Sequence, residues 1–225
     1  MSALPALAQG LALNQQMAGL LQTLLHRVRQ TLEARGPLAA QLDEAQVLGY
    51  EFAFIKAELH AMESMLEYGR QCANRDSAEL ETRMALVFAA DTIAKVRARF
   101  DRVRHPAGLT RDEYLALFEQ PALHEFCAAH ASPEALAACG SALIDAGHCG
   151  RSLLSEDQQI IAASFARVAE EVVAPRAEDI HRHDLTVPDD VFVAMLIGAS
   201  GAPRPVVPAS FPLNAAGTPR PGILP

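Results

Sequence analysis

Residues 47–66, VLGYEFAFIKAELHAMESML, decide the fold of this chain. An α-helix has about 3.6 residues per turn, so apolar residues at alternating steps of four and three lie on one of its faces. The stretch follows that rule with six large apolar side chains, at Leu48, Phe52, Ile55, Leu59, Met62 and Leu66. We therefore predict an amphipathic helix whose apolar face, including Phe52, Met62 and the nearby Met65, forms part of a helical core.

Signals for the ends of this helix lie on either side of the stripe. Asp43 is a suitable N-cap, and Gln46 follows it three residues later, the spacing of a capping box. Gly69 is a stop signal, because glycine is common where helices end. These residues predict a helix that begins after Asp43 and ends near Gly69.

Similar patterns continue in both directions along the chain. An earlier apolar stripe ends at the breaker Gly36-Pro37, and a later one lies in a helix predicted from Asp76 to Arg104. Capping patterns at Thr110 with Glu113 and at Ser132-Pro133-Glu134 predict shorter helices beyond it. The earlier stripe comprises Leu13, Met17, Leu20, Leu21, Leu24, Val28 and Leu32, and the later one Leu86, Ile93, Val96, Phe100 and Val103. Strand-like alternation is missing, so the fold class is all-α and residues 1–150 form a helical bundle.

Composition limits the function classes. The chain has 225 residues, of which half are hydrophobic, and a formal net charge of −8. An acidic chain lacks the basic surface that a non-specific nucleic-acid binder needs. The N-terminus lacks the cationic start of a signal peptide, and no apolar stretch is long enough for a membrane span. Four cysteines are too few for a disulfide scaffold, so the expected location is the cytoplasm.

A second segment begins near residue 151. Ser155 and Gln158 have the spacing of a capping box, and Pro175 should kink or interrupt the helix that follows because proline has no N–H to donate. The apolar stripe of this helix comprises Ile161, Phe165, Val168 and Val172. We expect a helical segment over residues 151–197 and an irregular tail over residues 198–225, which holds seven of the 14 prolines.

The second segment resembles the opening helices of acyl-CoA dehydrogenases. The matching landmarks are residues 154–158 (LSEDQ), 165–166 (FA), 171–175 (EVVAP), Ala177, Ile180 and 188–190 (PDD). The stretch from residue 173 to residue 188 is most similar to the branch that contains methylsuccinyl-CoA dehydrogenase, which carries a helical extension ahead of the dehydrogenase core. The resemblance implies that residues 1–150 are such an extension and residues 151–197 an incomplete N-terminal α-domain.

The resemblance also implies an activity, the FAD-dependent α,β-desaturation of an acyl-CoA thioester. The family binds FAD and removes the substrate proton with regions that have no counterpart here, so no catalytic or flavin-binding residue is assigned and the chain alone is expected to bind no FAD. After residue 190 the family's Gly-rich turn is replaced by VAMLIGASG (residues 193–201) and a Pro-rich run that contains no Asp, Glu or Lys. A frameshift or truncation near residue 190 would explain this change.

The alternative function is a stand-alone helical interaction module that docks a partner through its apolar stripes. Self-association through apolar helix faces is a further expectation. Neither function implies a nucleic-acid or membrane partner. The two hypotheses differ in where the function lies: in a longer flavoenzyme, or in the helices themselves.

Two groups of histidines and cysteines could suggest a metal site. The first comprises His124, Cys127, His130, Cys139, His148 and Cys149, and the second is residues 181–184, HRHD. A zinc site needs three or four convergent ligands, and positions i, i+3 and i+6 do not share one helix face. We therefore predict no metal site, with buried thiols and surface histidines in the first group and a solvated helix end in the second.

Four arginines lie close together near the end of the third predicted helix, at Arg97, Arg99, Arg102 and Arg104. Such a cluster could bind the phosphates of a CoA thioester. Cations are also favoured at the C-terminal end of a helix, where the carbonyl dipoles point. We prefer the second interpretation.

Overall fold

The structure is a computed structural model that describes residues 4–41, 43–75 and 78–193. All regular elements in these residues are helical, and no strand occurs among them, so the predicted all-α class is confirmed. The helices are α1 (Leu4–Glu33), α2 (Leu38–Gln41), α3 (Gln46–Ala73), α4 (Glu79–Val103), α5 (Arg111–Phe118), α6 (Pro121–His130), α7 (Pro133–Ala146), α8 (Glu156–Val168) and α9 (Ala174–Arg182). Residues 189–193 are also helical.

The chain divides into two compact units. The first is Met1–Arg151 and the second is Ser152–Pro225. The predicted tail over residues 198–225 lies outside the described residues. The assignment of residues 1–150 to an extension and 151–197 to an α-domain remains a prediction.

The first unit is built on three long antiparallel helices. Helix α3 packs along α4 and along α1. Gly10 near the start of α1 lies against Leu66 near the end of α3, and Arg99 near the end of α4 binds Glu51 near the start of α3. Helices α6 and α7 then pack against α4, and α6 also contacts α1.

The predicted apolar faces form the core of this bundle. Five of the six side chains that define the α3 stripe are buried, and the sixth, Leu48, packs against them half-buried. All five predicted residues of the α4 stripe are buried. Because burial of apolar surface is the main favourable term in folding, the match between stripe and core explains why these segments are helical.

Three predicted helix starts are confirmed in detail. Thr110 and Ser155 each form a complete capping box, with Glu113 and Gln158 respectively. The Ser132 hydroxyl accepts a hydrogen bond from the backbone N–H of Ala135, with Pro133 in the first turn. Each side chain satisfies a backbone N–H that the helix itself leaves without a partner.

Both predicted ends of α3 are wrong. Its N-cap is Ala45, and Asp43 instead accepts a hydrogen bond from the side chain of Gln46 (3.1 Å), so no side chain caps the helix. At the other end, the helix continues past Gly69 to Ala73. Gly69 is buried where a Cβ atom would lie 2.8 Å from Ala85 Cβ, so this glycine permits close helix packing and does not end the helix.

The end predicted for α4 at Arg104 lies one residue beyond the observed end at Val103. Its predicted start, Asp76, lies outside the described residues. Differences of one or two residues are usual where helix ends fray.

In the second unit, Pro175 interrupts the helical pattern as predicted. Residues Ala169–Val173 form a π-helical turn between α8 and α9. The N–H of Ala174 bonds to the carbonyl of Ala169, five residues earlier, and Pro175 has no N–H to continue the regular ladder. The helix therefore changes its hydrogen-bond register without ending.

Candidate functional site

The arginine cluster of α4 is bound by side chains of the protein itself. Arg99 donates to Glu51 (2.9 Å) and Glu58 (3.1 Å), and Arg102 also donates to Glu51 (3.1 Å). Arg97 donates to the Tyr114 hydroxyl (3.1 Å). These arginines hold the end of α4 against α3 and α5.

The charges of this cluster are balanced locally. Burial raises the pKa of Glu51, but hydrogen bonds from Arg99 and Arg102 outweigh it and hold the pKa below its ordinary value. Burial opposes the charge of Arg99 as well, and its two carboxylate partners hold its pKa above the ordinary value. A phosphate would have to displace these carboxylates, so the geometry favours the structural interpretation of the arginines.

The first group of histidines and cysteines does not converge. No set of three or more His, Cys, Asp or Glu side chains among the described residues is arranged to hold a metal ion. His124 bonds to Glu119 (3.1 Å), and the His130 ring packs on Phe126 with 4.9 Å between ring centroids. Cys139 is buried and Cys127 is half-buried, whereas Cys149 is exposed, so the prediction of buried thiols does not hold for Cys149.

The second group lies on the surface at the end of α9. His183 Nδ1 is 2.9 Å from the Asp179 carboxylate one turn earlier, and Arg182 pairs in the same way with Glu178 (2.6 Å). All four of these side chains are more than half exposed. Arginine–glutamate pairs at this spacing are common on solvated helices and contribute about 0.3–0.5 kcal/mol.

Two open clefts of the described residues adjoin the C-terminal ends of α1 and α4. One has a volume of about 800 Å³ and is lined by Arg27, Arg35 and His105 among others, and the other, of about 670 Å³, is lined by Arg35, Glu44 and Arg102 among others. Arg27 is already paired with Glu113, and Arg102 with Glu51. Helix C-termini carry partial negative charge, which disfavours an anion there. The lining offers no nucleophile paired with a general base.

A buried polar cluster that no sequence pattern predicted stabilises the end of the first unit. Glu81 is 3% exposed and accepts from the backbone N–H (3.0 Å) and the Nε (3.1 Å) of Arg151. The Tyr68 hydroxyl donates to the Arg151 carbonyl (2.8 Å), and burial raises the pKa of Tyr68 to about 12. A Cβ atom on Gly150 would lie 2.5 Å from the Tyr68 hydroxyl oxygen, so only glycine fits. The one hint in the sequence is Gly150 itself, because glycine often marks a position with positive φ, and its φ here is 92°.

A second feature missed from the sequence is an exposed apolar face on α3, opposite its core face. Its members are Val47, Tyr50, Phe54, Ala57, Ala61 and Ser64, and we call them the α3 outer stripe. Val47 is 79% exposed and Tyr50 59%. Tyr50 and Phe54 contact each other in a tilted arrangement with 4.5 Å between ring centroids, and the Arg99 guanidinium lies 4.5 Å from the centre of the Phe54 ring. Interface contacts are enriched in such aromatic and arginine side chains.

Helix α8 in the second unit also exposes its apolar side. Ile161 is 52% exposed and Phe165 41%, and both belong to the apolar stripe of this helix. Val168 of the same stripe is buried. An amphipathic helix gains stability by burying its stripe, so this face has the character of a contact surface.

No protein-family model matches the chain, and no curated protein matches its sequence. Among the described residues, no helix is both long and apolar enough to cross a membrane.

Proposed function

We propose that the chain is the N-terminal part of an FAD-dependent acyl-CoA dehydrogenase. In this proposal residues 151–197 are the incomplete N-terminal α-domain of the dehydrogenase, and residues 1–150 are a helical extension ahead of it. The observation that carries the proposal is the exposed apolar face of α8, at Ile161 and Phe165. A helix with this pattern requires further apolar surface, which the rest of a dehydrogenase domain would supply.

The resemblance and the structure agree on two local points that support this proposal. The landmark residues 154–158 include a complete capping box at the start of α8, and the landmark Pro175 lies at the change of helical register. The resemblance assigns no flavin-binding or proton-abstracting residue to this chain. We propose accordingly that these 225 residues do not catalyse desaturation by themselves.

A chimera tests the proposal. Residues 152–190 would replace the opening helices of a characterised acyl-CoA dehydrogenase, and we expect the chimera to fold, retain FAD and oxidise its acyl-CoA. Changing Ile161 and Phe165 to Asp should abolish FAD retention, because each charge would be buried without a partner. Gln159→Glu, at an exposed polar position of the same helix, is the matched control and should leave FAD bound. A chimera without flavin, or one indifferent to the two Asp substitutions, contradicts the proposal.

A second candidate function is a helical interaction module, and the α3 outer stripe favours it. Its large side chains are exposed and Arg99 lies over the Phe54 ring, whereas the other face of α3 forms the core. Preorganised aromatic side chains lose little conformational entropy on binding. This function requires that residues 1–151 fold without the second unit, which circular dichroism of that fragment would test.

A further inference from the structure

The α3 outer stripe has a size pattern that is complementary to itself. Its first half carries the large side chains Val47, Tyr50 and Phe54. Its second half carries the small side chains Ala57, Ala61 and Ser64, all exposed. The steps between the six positions alternate between three and four residues, which is the heptad spacing of an antiparallel or parallel helix pair.

Two copies of such a helix fit together in one antiparallel register. When the two-fold axis lies between residues 55 and 56, Val47 of one copy faces Ser64 of the other. In that same register Tyr50 faces Ala61, and Phe54 faces Ala57. Each large side chain thus meets a small one, in both halves of the contact, because a two-fold interface repeats every pair. A parallel arrangement would place Tyr50 against Tyr50 and Phe54 against Phe54.

We infer that the chain forms a two-fold symmetric dimer in which the α3 outer stripes of two copies pack antiparallel. The partner of the interaction module proposed above is then a second copy of the chain. The inference shares one premise with that proposal, namely that the α3 outer stripe is a contact surface. It does not depend on the acyl-CoA dehydrogenase proposal.

The charges beside the stripe are compatible with this register. On one side, His60 would face Ala53 of the second copy, and Glu67 would face Gln46, so no two like charges oppose each other. On the other side, Glu51 and Glu58 are acidic, but both are already bound by Arg99 within their own copy. Charges that are paired before association cost little further desolvation when the helices meet.

The size of the stripe sets the strength of the dimer. Residues 47–64 span roughly 26 Å of helix at 1.5 Å per residue. One helix face of this length gives an interface at the small end of those seen in specific complexes. We therefore expect a reversible dimer that dissociates on dilution. Since each copy carries a net charge of −8, added salt should strengthen the dimer by screening the repulsion.

Sedimentation velocity of the full chain over a range of protein and salt concentrations measures this association. Ala61→Tyr should weaken the dimer by roughly a hundredfold, because overpacking occurs at two symmetric positions. Tyr50→Ala should also weaken it, by about tenfold or more, because the pocket formed by Ala61 loses its occupant. The double variant Tyr50→Ala, Ala61→Tyr exchanges the sizes across the same pair and should restore the dimer.

The controls distinguish association in this register from nonspecific self-association and from misfolding. Ala137 is an exposed alanine on α7, away from the stripe, and Ala137→Tyr should leave the association constant unchanged. Circular dichroism should show the same helix content for all variants, since the substituted positions are exposed. A chain that stays monomeric, or a double variant no better than Ala61→Tyr, overturns the inference. A different protein that binds this face while the chain stays monomeric would also overturn it, yet would leave the interaction module standing.

Discussion

Glu113 illustrates how one side chain can serve two structural roles. It accepts from the backbone N–H of Thr110 (3.0 Å) to complete the capping box of α5, and it pairs with Arg27 of α1. The hydrogen bond from Arg27, followed by those from Thr110, lowers the pKa of Glu113 from 4.5 to about 2. One carboxylate therefore both starts a helix and fixes that helix against the bundle.

Replacing this carboxylate with an amide should make stability depend less on pH. Because the folded pKa is below the unfolded one, Glu113 stabilises the fold above about pH 4.5, and this contribution is lost as the pH falls through about 2. We expect Glu113→Gln to lower the free energy of unfolding by about 1 kcal/mol at neutral pH, a modest value because the pair is partly exposed. Urea unfolding at several pH values should show that difference shrinking below pH 4.5.

Asp112→Asn is the matched control for this substitution. Asp112 is exposed in the first turn of the same helix, so its loss should change stability by no more than about 0.5 kcal/mol through the helix dipole. An equal effect of the two substitutions, or an effect of Glu113→Gln that is as large at pH 2 as at neutral pH, would contradict the role given to the Arg27 pair.

At the scale of the helices, Gly69 sets how closely α3 approaches its neighbours. A Cβ atom there would lie 2.8 Å from Ala85 Cβ on α4 and 3.2 Å from Leu7 Cδ2 on α1. We predict that Gly69→Ala lowers the free energy of unfolding by about 1–3 kcal/mol through overpacking, although alanine favours helix. Urea unfolding followed by circular dichroism would measure it.

Gly49, also within α3, provides the control for Gly69. Nothing lies within 4 Å of a Cβ atom at this position, so Gly49→Ala should stabilise the protein by about 0.5–1 kcal/mol. Combining Gly69→Ala with Ala85→Gly should recover part of the lost stability, since the second change removes the atom that the first one meets. Opposite signs at the two glycines are the expected result, and equal signs would rule out close packing as the cause.

The same glycine shows what the sequence could and could not predict. Periodicity identified the core faces of α1, α3 and α4, because burial follows the 3.6-residue period of a single segment. Gly69 was misread as a stop because its reason for being glycine lies on α1 and α4, far away in sequence. The arginine cluster can be predicted because its members are close together in sequence. Their carboxylate partners cannot, because Glu51 and Glu58 lie on a different helix.

At the scale of the whole molecule, a few polar contacts hold the last residues of the first unit in place. Glu81 is buried, and its charge is compensated by Arg151. Burial raises the pKa of Glu81, but the hydrogen bonds that this carboxylate accepts, including those from Arg151, outweigh it and hold the pKa below the ordinary value. The first unit should therefore need residues 150 and 151 for full stability.

Two shortened chains test this dependence. We expect residues 1–155 to unfold cooperatively, whereas residues 1–148 should be less stable by about 3 kcal/mol, because the Glu81 charge stays buried without Arg151. Urea unfolding of both chains measures the difference. Because Arg151 holds the pKa of Glu81 below its ordinary value in the longer chain, that difference should be present at neutral pH and decrease in acid as Glu81 becomes protonated. Glu81→Gln should make the shorter chain more stable, since a buried amide costs less than a buried charge. Equal stability of the two chains at neutral pH would show that the bundle does not depend on Arg151.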